Sequence, residues 1–176
     1  MKTFNETQKA FRIWLMAIIM IGWISFIVFT VWVIQQQLVK HIPVGDKPLP
    51  DVGLIIMLSS LNFIFAFFVF LVVKLRLETE INNTGIRYSF LPFIGQRKID
   101  WSEIDSCWVR KYKPIKEYGG WGYRHLFRGR AYNVWGRWGI QIVKKDGRML
   151  LLGTSKKDEA AVVLANLGYN KAYEKK

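Results

Sequence analysis

Cysteine is almost missing from this chain. Of 176 residues only Cys107 is a cysteine and only His41 and His125 are histidines. That excludes an intramolecular disulfide and any multi-cysteine zinc site, and leaves little from which to build a metal centre. Acidic residues are scarce as well, 13 against 26 Lys and Arg, for a net charge of +13. Charge of either sign is absent from two whole stretches, Ile13 to Ile34 and Val52 to Val73. Each would extend about 33 Å as a helix, enough for the hydrocarbon core of a bilayer. The first run is long for the apolar part of a cleavable signal, has no small-x-small cleavage site and is closely followed by a second span, so it is read as a retained anchor.

The charges that are present divide unevenly. The tail at 1–12 carries Lys2, Lys9 and Arg12 against Glu6, the connection at 35–51 is neutral, and the segment from Lys74 onward holds +11 of the +13. The positive-inside rule then places both termini in the cytoplasm and the connection outside. The expected organisation is a cytoplasmic tail at 1–12, a transmembrane helix at 13–34, an external loop at 35–51, a second transmembrane helix at 52–73, a cytoplasmic domain at 74–168 and a basic tail at 169–176. Trp14 and Trp32 share a face of the first helix about 27 Å apart, as an aromatic belt would. Gly22 and Ser25 form a small patch near the middle of that helix, and Ser59, Asn62 and Ala66 form another on the second. In an antiparallel hairpin these patches are expected to pack together, Asn62 facing Ser25, or else to serve self-association into a homo-oligomer.

After Lys74 the pattern changes to period two. Leu75, Leu77, Thr79 and Ile81 alternate with charged residues; Ile86, Tyr88 and Phe90 alternate through a second strand, and Gln96–Trp101, Ile104–Lys113, Tyr132–Trp135, Gly139–Lys144 and Arg148–Gly153 also read as strands. Asp146-Gly147 signals a hairpin. A closing helix is expected with Ser155 and Asp158 as a capping box, Ala160, Val163, Leu164 and Leu167 on one face, and Gly168 at its end. The fold class is therefore α+β, about seven antiparallel strands covered or plugged by one amphipathic helix. Cys107 falls inside a strand with no base in sight and reads as a small core residue.

The most unusual stretch is 109–142. Between Arg110 and Arg137 eight basic residues face one acid, Glu117, interleaved with Tyr112, Tyr118, Trp121, Tyr123, Phe127, Tyr132 and Trp135 and five glycines. So many aromatics argue for a structured loop rather than disorder. Its candidate binding residues are Arg110, Lys113, Tyr118, Trp121, Arg124, Arg128 and Arg130, which suit an anionic headgroup or an acidic protein segment. The charge alone also suits an anionic leaflet close by. Two other classes are weaker. His125 with Glu117 and Tyr118 could be drawn as an acid–base set and Gly-Gly-Trp-Gly as a phosphate cradle, but no P-loop, no G-x-S-x-G and no carboxylate cluster occurs. No catalytic residue, cofactor or metal is assigned. Interleaved basic and aromatic residues also occur in single-strand nucleic-acid binders, a partner that a membrane tether disfavours.

The strings L-x-T-x-I-x-x-x-G-I from Leu77, I-x-W-x-E-I from Ile99, V-R-K-Y-x-P-I-x-E-Y-G-G-W-G from Val109, A-Y-N-V from Ala131 and G-I-Q from Gly139 together resemble a set of small bacterial pleckstrin-homology-like membrane proteins. The resemblance covers about residues 74–167 and implies an open antiparallel barrel on a two-helix hairpin in a bacterial inner membrane. It implies no chemistry. The first hairpin, EINNTGIR, has only Arg87, so the phosphoinositide motif of that fold is not visible, and the basic cluster lies at 110–130 instead. A non-catalytic binding or scaffolding module is expected, an accessory subunit or adaptor with membrane lipid and a protein as partners.

Overall fold

The computed structural model describes residues 3–10, 13–126 and 129–169. The chain forms two compact units, one built from 11–73 and the other from 1–10 together with 74–176.

The first unit is a helical hairpin. Helix α1 (Ile13–Ile34) continues as a π-helical turn through Val39, and helix α2 runs Asp51–Lys74. Both are long and apolar enough to cross a membrane. Most of their large apolar side chains are exposed, Trp14 and Trp32 among them, which a water-facing surface does not tolerate over such an area. Asp51 in the first turn of α2 and Lys74 in its last suit the helix dipole. The connection is tied down by buried Gln37, whose Nε2 donates to the Leu49 carbonyl at 2.7 Å and to Asp51 Oδ1 at 3.0 Å.

The helices meet through Val33, Leu54 and Leu58 and through Trp23 stacked on Phe65. Asn62 does not face Ser25. Its Nδ2 donates to Thr30 Oγ1 at 3.1 Å and to the Leu58 carbonyl at 2.9 Å, while Ser25 bonds to the Ile21 carbonyl of its own helix. A Cβ added at Gly22 would meet nothing, Ser59 is exposed and Ala66 is half-buried. Ser25 lies five residues from Thr30, about 140° round the helix. The face bearing Trp23 and Val33 buries more apolar surface than the small patch could, and it takes the contact.

The second unit contains nine strands among its described residues, in two sheets. Strands β1 (Phe4–Lys9), β2 (Arg76–Asn82), β3 (Gly85–Leu91) and β4 (Ile94–Asp100) lie in that order, all antiparallel. The other sheet uses β5 (Ile104–Lys111), β6 (Gly122–Leu126), β7 (Gly129–Asn133), β8 (Trp138–Lys144) and β9 (Met149–Gly153) in the order β5-β8-β9-β7-β6, with β7 and β9 parallel. Short helix α3 (Pro114–Tyr118) precedes β6, and α4 (Lys157–Asn166) closes the chain. The class is α+β, as the alternation indicates. Leu77, Ile81, Ile86, Phe90, Cys107, Ile140, Ile142 and Leu152 fill the core with Ala160, Val163 and Leu164 of α4.

Three expectations change. The segment at 4–9 is a strand of the domain rather than a tail, alternating buried Phe4, Glu6 and Gln8 with exposed Asn5, Thr7 and Lys9. The stretch at 109–142 is a helix and a β-hairpin rather than one loop, so the strand expected at 132–135 is shifted to 129–133 and gains a partner. Ser155 does not cap α4, whose N-cap residue is Lys156 with no side-chain bond. Its amide and hydroxyl donate instead to Glu6 Oε1, at 2.8 and 2.5 Å. The other Glu6 oxygen accepts from Thr154 Oγ1 at 2.5 Å, and Gln8 Nε2 donates to Oε1 at 3.0 Å. Gly168, with φ of 81°, ends the helix region as expected.

Two variants test these fastenings. Glu6→Ala leaves the Thr154 and Ser155 donors without their carboxylate and is expected to lower hydrogen-exchange protection of the Leu77–Ile81 amides by about 2–3 kcal/mol. Unchanged protection would mean that strand pairing alone holds β1. Asn62→Leu is expected to loosen the helix pair by only about 0.6 kcal/mol in a steric-trapping measurement, because packing dominates that contact.

Candidate functional site

The strand register defines two ends of the sheet domain. Lys9 ends β1, Arg76 begins β2, and the two are paired, as are Arg76 and Leu91. From this end the chain passes into α1 and returns from α2; it is called the helix-linked end. One hydrogen bond carries the same end across to the second sheet, and two more tie together the segments that meet there. Trp135 Nε1 donates to the Lys9 carbonyl at 3.0 Å, Trp121 Nε1 to the Gly136 carbonyl at 3.0 Å, and the Tyr112 amide to the Arg137 carbonyl at 2.8 Å. The opposite, far end carries the turns at 83–84, 101–103 and 145–148.

The seven candidate residues do not converge on one point. Lys113, Trp121 and Arg124 lie at the helix-linked end. Arg110, Tyr118 and Arg130 line a groove of about 810 Å³ that reaches toward the far end. Arg128 lies outside the described residues. The segment at 112–122 reverses direction to make this split. Pro114 opens α3, Gly119 with φ of 68° ends it, and Gly120 and Gly122 also take positive φ. Three of the four Gly-Gly-Trp-Gly amides that a phosphate cradle would need are already used. Gly119 N donates to the Ile115 carbonyl, Gly120 N to the Pro114 carbonyl and Gly122 N to Asn133 Oδ1.

Charge is distributed differently at the two ends. At the far end four cations are matched with carboxylates: Arg87 with Glu80 at 3.8 Å, Lys98 with Asp100 at 2.5 Å, Lys144 with Glu103 at 3.1 Å and Arg148 with Asp146 at 2.5 Å, while exposed Lys145 makes no ion pair among the described residues. The Asp146 carboxyl is held below its ordinary value by the Arg148 hydrogen bonds, and that of Glu103 by Lys144. At the helix-linked end Arg76 pairs with Glu78. The exposed groups of Lys9, Lys111, Lys113, Arg124 and Arg137 make no ion pair among the described residues. Arg124 instead lies along the glycine turn, its Nε donating to the Trp121 carbonyl at 3.0 Å.

The groove is walled by Tyr88, Trp108 and Tyr118 and bordered by His125, Arg130, Lys144 and Arg148. Arg110 works here as a brace. Its Nε donates to buried Gln141 at 3.0 Å and its Nη2 meets Glu117 at 2.8 Å and Tyr118 at 3.4 Å, which fastens α3 to the sheet. Glu117 also accepts the Lys113 amide at 2.7 Å, so its carboxylate is committed to this brace and the drawn pairing with His125 is not made. Burial raises the Tyr88 phenol, against an opposing pull from Arg130, and keeps it a neutral donor. Lys9 went unsuspected because it sits in the tail; Trp108, Lys144 and Arg148 went unsuspected because they flank ordinary strand signals. Knowing which sheet end each strand starts from would have found them.

No family model, curated protein or solved structure matches the chain. Its function therefore rests on the geometry of these two regions.

Two titrations check the packing around the site. Cys107 is fully buried and burial pushes its thiol up, so maleimide is expected to leave it unmodified in the native protein at pH 8 and to modify it fully in denaturant; native labelling would refute the packed interior. Tyr112 is pushed up to about 12 from 10, first by burial. The fold thus favours the neutral phenol, a contribution complete below pH 10 and lost as pH rises toward 12. Tyr112→Phe should lose less thermal stability than the parent across that window.

Proposed function

We propose that this protein is a membrane-anchored, non-catalytic binding module that lays the helix-linked end of its sheet domain on an anionic lipid surface. In this reading α1 and α2 cross a bacterial cytoplasmic membrane with both termini inside, and the domain is of pleckstrin-homology-like type. Two sheets packed on a C-terminal helix support that type. The β6–β7 hairpin and the parallel pairing of β7 with β9 are additions to an all-antiparallel barrel.

One observation carries the proposal, namely the segregation of charge between the two ends. A protein that pairs four cations with carboxylates at the far end, leaving Lys145 there without an ion pair, leaves five unpaired beside the strands that connect to its apolar helices. Self-repulsion among these groups opposes folding. An anionic leaflet relieves it, at about 1 kcal/mol for each Lys or Arg held near the surface, within a Debye length of about 8 Å at physiological salt. Trp121, exposed among these cations and bonded through its indole N–H, has the amphipathic character of interfacial aromatics. A second role follows from the groove, where Arg130, which makes no ion pair among the described residues, and the aromatic walls suit an acidic segment of a partner protein. With that partner bound the module is an adaptor or accessory subunit.

The test is purification of the tagged protein from its own membranes in mild detergent, with mass spectrometry of retained lipids and proteins. Anionic phospholipid is expected to be enriched over the bulk membrane on the parent. It should fall to the bulk proportion on the variant carrying Lys111→Ala, Lys113→Ala, Arg124→Ala and Arg137→Ala, with Cys107 still protected from maleimide. Equal lipid enrichment on both proteins would refute the proposal. A stoichiometric protein lost on Arg130→Ala would establish the groove as its dock.

A further inference from the structure

We infer that the turn joining β3 to β4 is a third membrane contact, an aromatic tip that seats in the interfacial layer of the leaflet from which α2 emerges. This rests on the reading above that α2 crosses the bilayer, and it concerns residues that the charge argument does not use.

The tip is Pro92–Phe93, both exposed, with Phe93 57 % accessible. Its ring stacks at 6.2 Å on Phe90, a residue with no exposed surface. The Phe93 side chain therefore stands on the core and is presented outward rather than left to find its own position. Nothing within the described domain covers it.

The register shows where it points. Arg76 pairs with Leu91 and Leu77 with Phe90, so extending the same antiparallel pairing by two residues sets Phe93 level with Lys74. Lys74 is the last residue of α2. Only Leu75 separates the helix from β2, and Leu75 is itself held, its carbonyl accepting the Ala10 amide at 3.0 Å. On this side of the helices the connection is thus a single residue. A chain leaving the hydrocarbon at Lys74 must pass through an interfacial layer of roughly 5–7 Å, and the β3–β4 turn is the part of the first sheet that reaches back to the same level. An aromatic and a proline flanked by Leu91 and Ile94 have the composition for that layer, where rings meet headgroups and the first methylenes.

The contact has a structural consequence. Two helices alone leave a domain free to rock about the line joining their exits, and a third point off that line removes this freedom. The tip supplies such a point from the first sheet, and Trp121 faces the same end from the second.

The experiment places a reporter cysteine at Gly95, where an added Cβ meets nothing within 4 Å, leaving Phe93 intact and the buried Cys107 as it is. The labelled full-length protein is reconstituted in vesicles of phosphatidylethanolamine and phosphatidylglycerol with an environment-sensitive fluorophore on the cysteine. Quenching is compared between lipid carrying a shallow nitroxide and aqueous iodide. Labels at Leu61→Cys in α2 and Asp146→Cys at the far turn define the membrane and water limits. The Gly95 label is expected to be quenched by the nitroxide lipid and shielded from iodide, and Phe93→Asp in the same background is expected to shift it to the behaviour of the Asp146 label. A Gly95 label that already behaves like Asp146 while Leu61 is quenched by lipid overturns the tip alone. Loss of lipid quenching at Leu61 as well overturns the membrane-crossing reading and the tip with it.

Discussion

The sheet domain depends on a carboxylate that the chain places before its first apolar helix. Glu6 accepts from Thr154, twice from Ser155 and from Gln8, so a residue near the N-terminus closes onto the junction of β9 and α4. Each bond to a charged acceptor contributes more than a neutral one, and the four together offset the cost of burying an ion that would otherwise be paired with a cation. Through the same strand, Trp135 bonds the Lys9 carbonyl. Strand β1 thus completes the first sheet by pairing with β2 and stitches it to the second through its ends and its inward side chains. The order of assembly follows. Lys9 and Arg76 are neighbours in the sheet but lie on opposite sides of both apolar helices in sequence, so the first sheet gains its edge strand only after the whole hairpin has been made, a closure of high contact order.

The legible parts of the fold were those where apolar spacing carried the information. The two helices stand out as uncharged apolar runs, and β2, β3, β5, β8, β9 and the apolar face of α4 each bury a regular set of side chains. Strand β1 alternates as well, but two of its three inward residues are Glu6 and Gln8, so a pattern that reads polarity as exposure sees only a tail. Strands β6 and β7 are set by their neighbours. Gly122, Arg124 and Gly129, Arg130 have poor intrinsic strand preference, and the hairpin forms because β7 pairs with β9 while Ala131 packs with Leu151 under Tyr112 and Tyr118. Ser155 had the right chemistry for a cap and was taken by a stronger acceptor remote in sequence.

The site was legible as a composition and not as a place. A basic aromatic stretch of 28 residues between Arg110 and Arg137 is conspicuous, but strand direction decides which end of the domain each residue reaches. Because β5 runs toward the helix-linked end and β6 runs away from it, Lys111 and Lys113 fall at one end while His125 and Arg130 are carried toward the other. The glycines at 119, 120 and 122 make that reversal within a few residues, which accounts for the turn without a bound phosphate.

The same stretch therefore does two different physical jobs. Arg110, Glu117 and Tyr118 are half-buried or buried and mutually bonded, so their charges are spent on holding α3 against the sheet and would be costly to redirect to a ligand. Lys113, Arg124 and Arg137 are exposed and make no ion pair among the described residues, Arg124 giving only an Nε hydrogen bond to the Trp121 carbonyl, so no carboxylate there takes up their charge. A cation that is already paired gains little from a further anion, because binding must first compete with its partner carboxylate; an unpaired one gains the full interaction. The recognition proposed for the helix-linked end thus draws on the residues that contribute least to the fold, and their removal can separate binding from stability in a way that removal of Arg110 cannot.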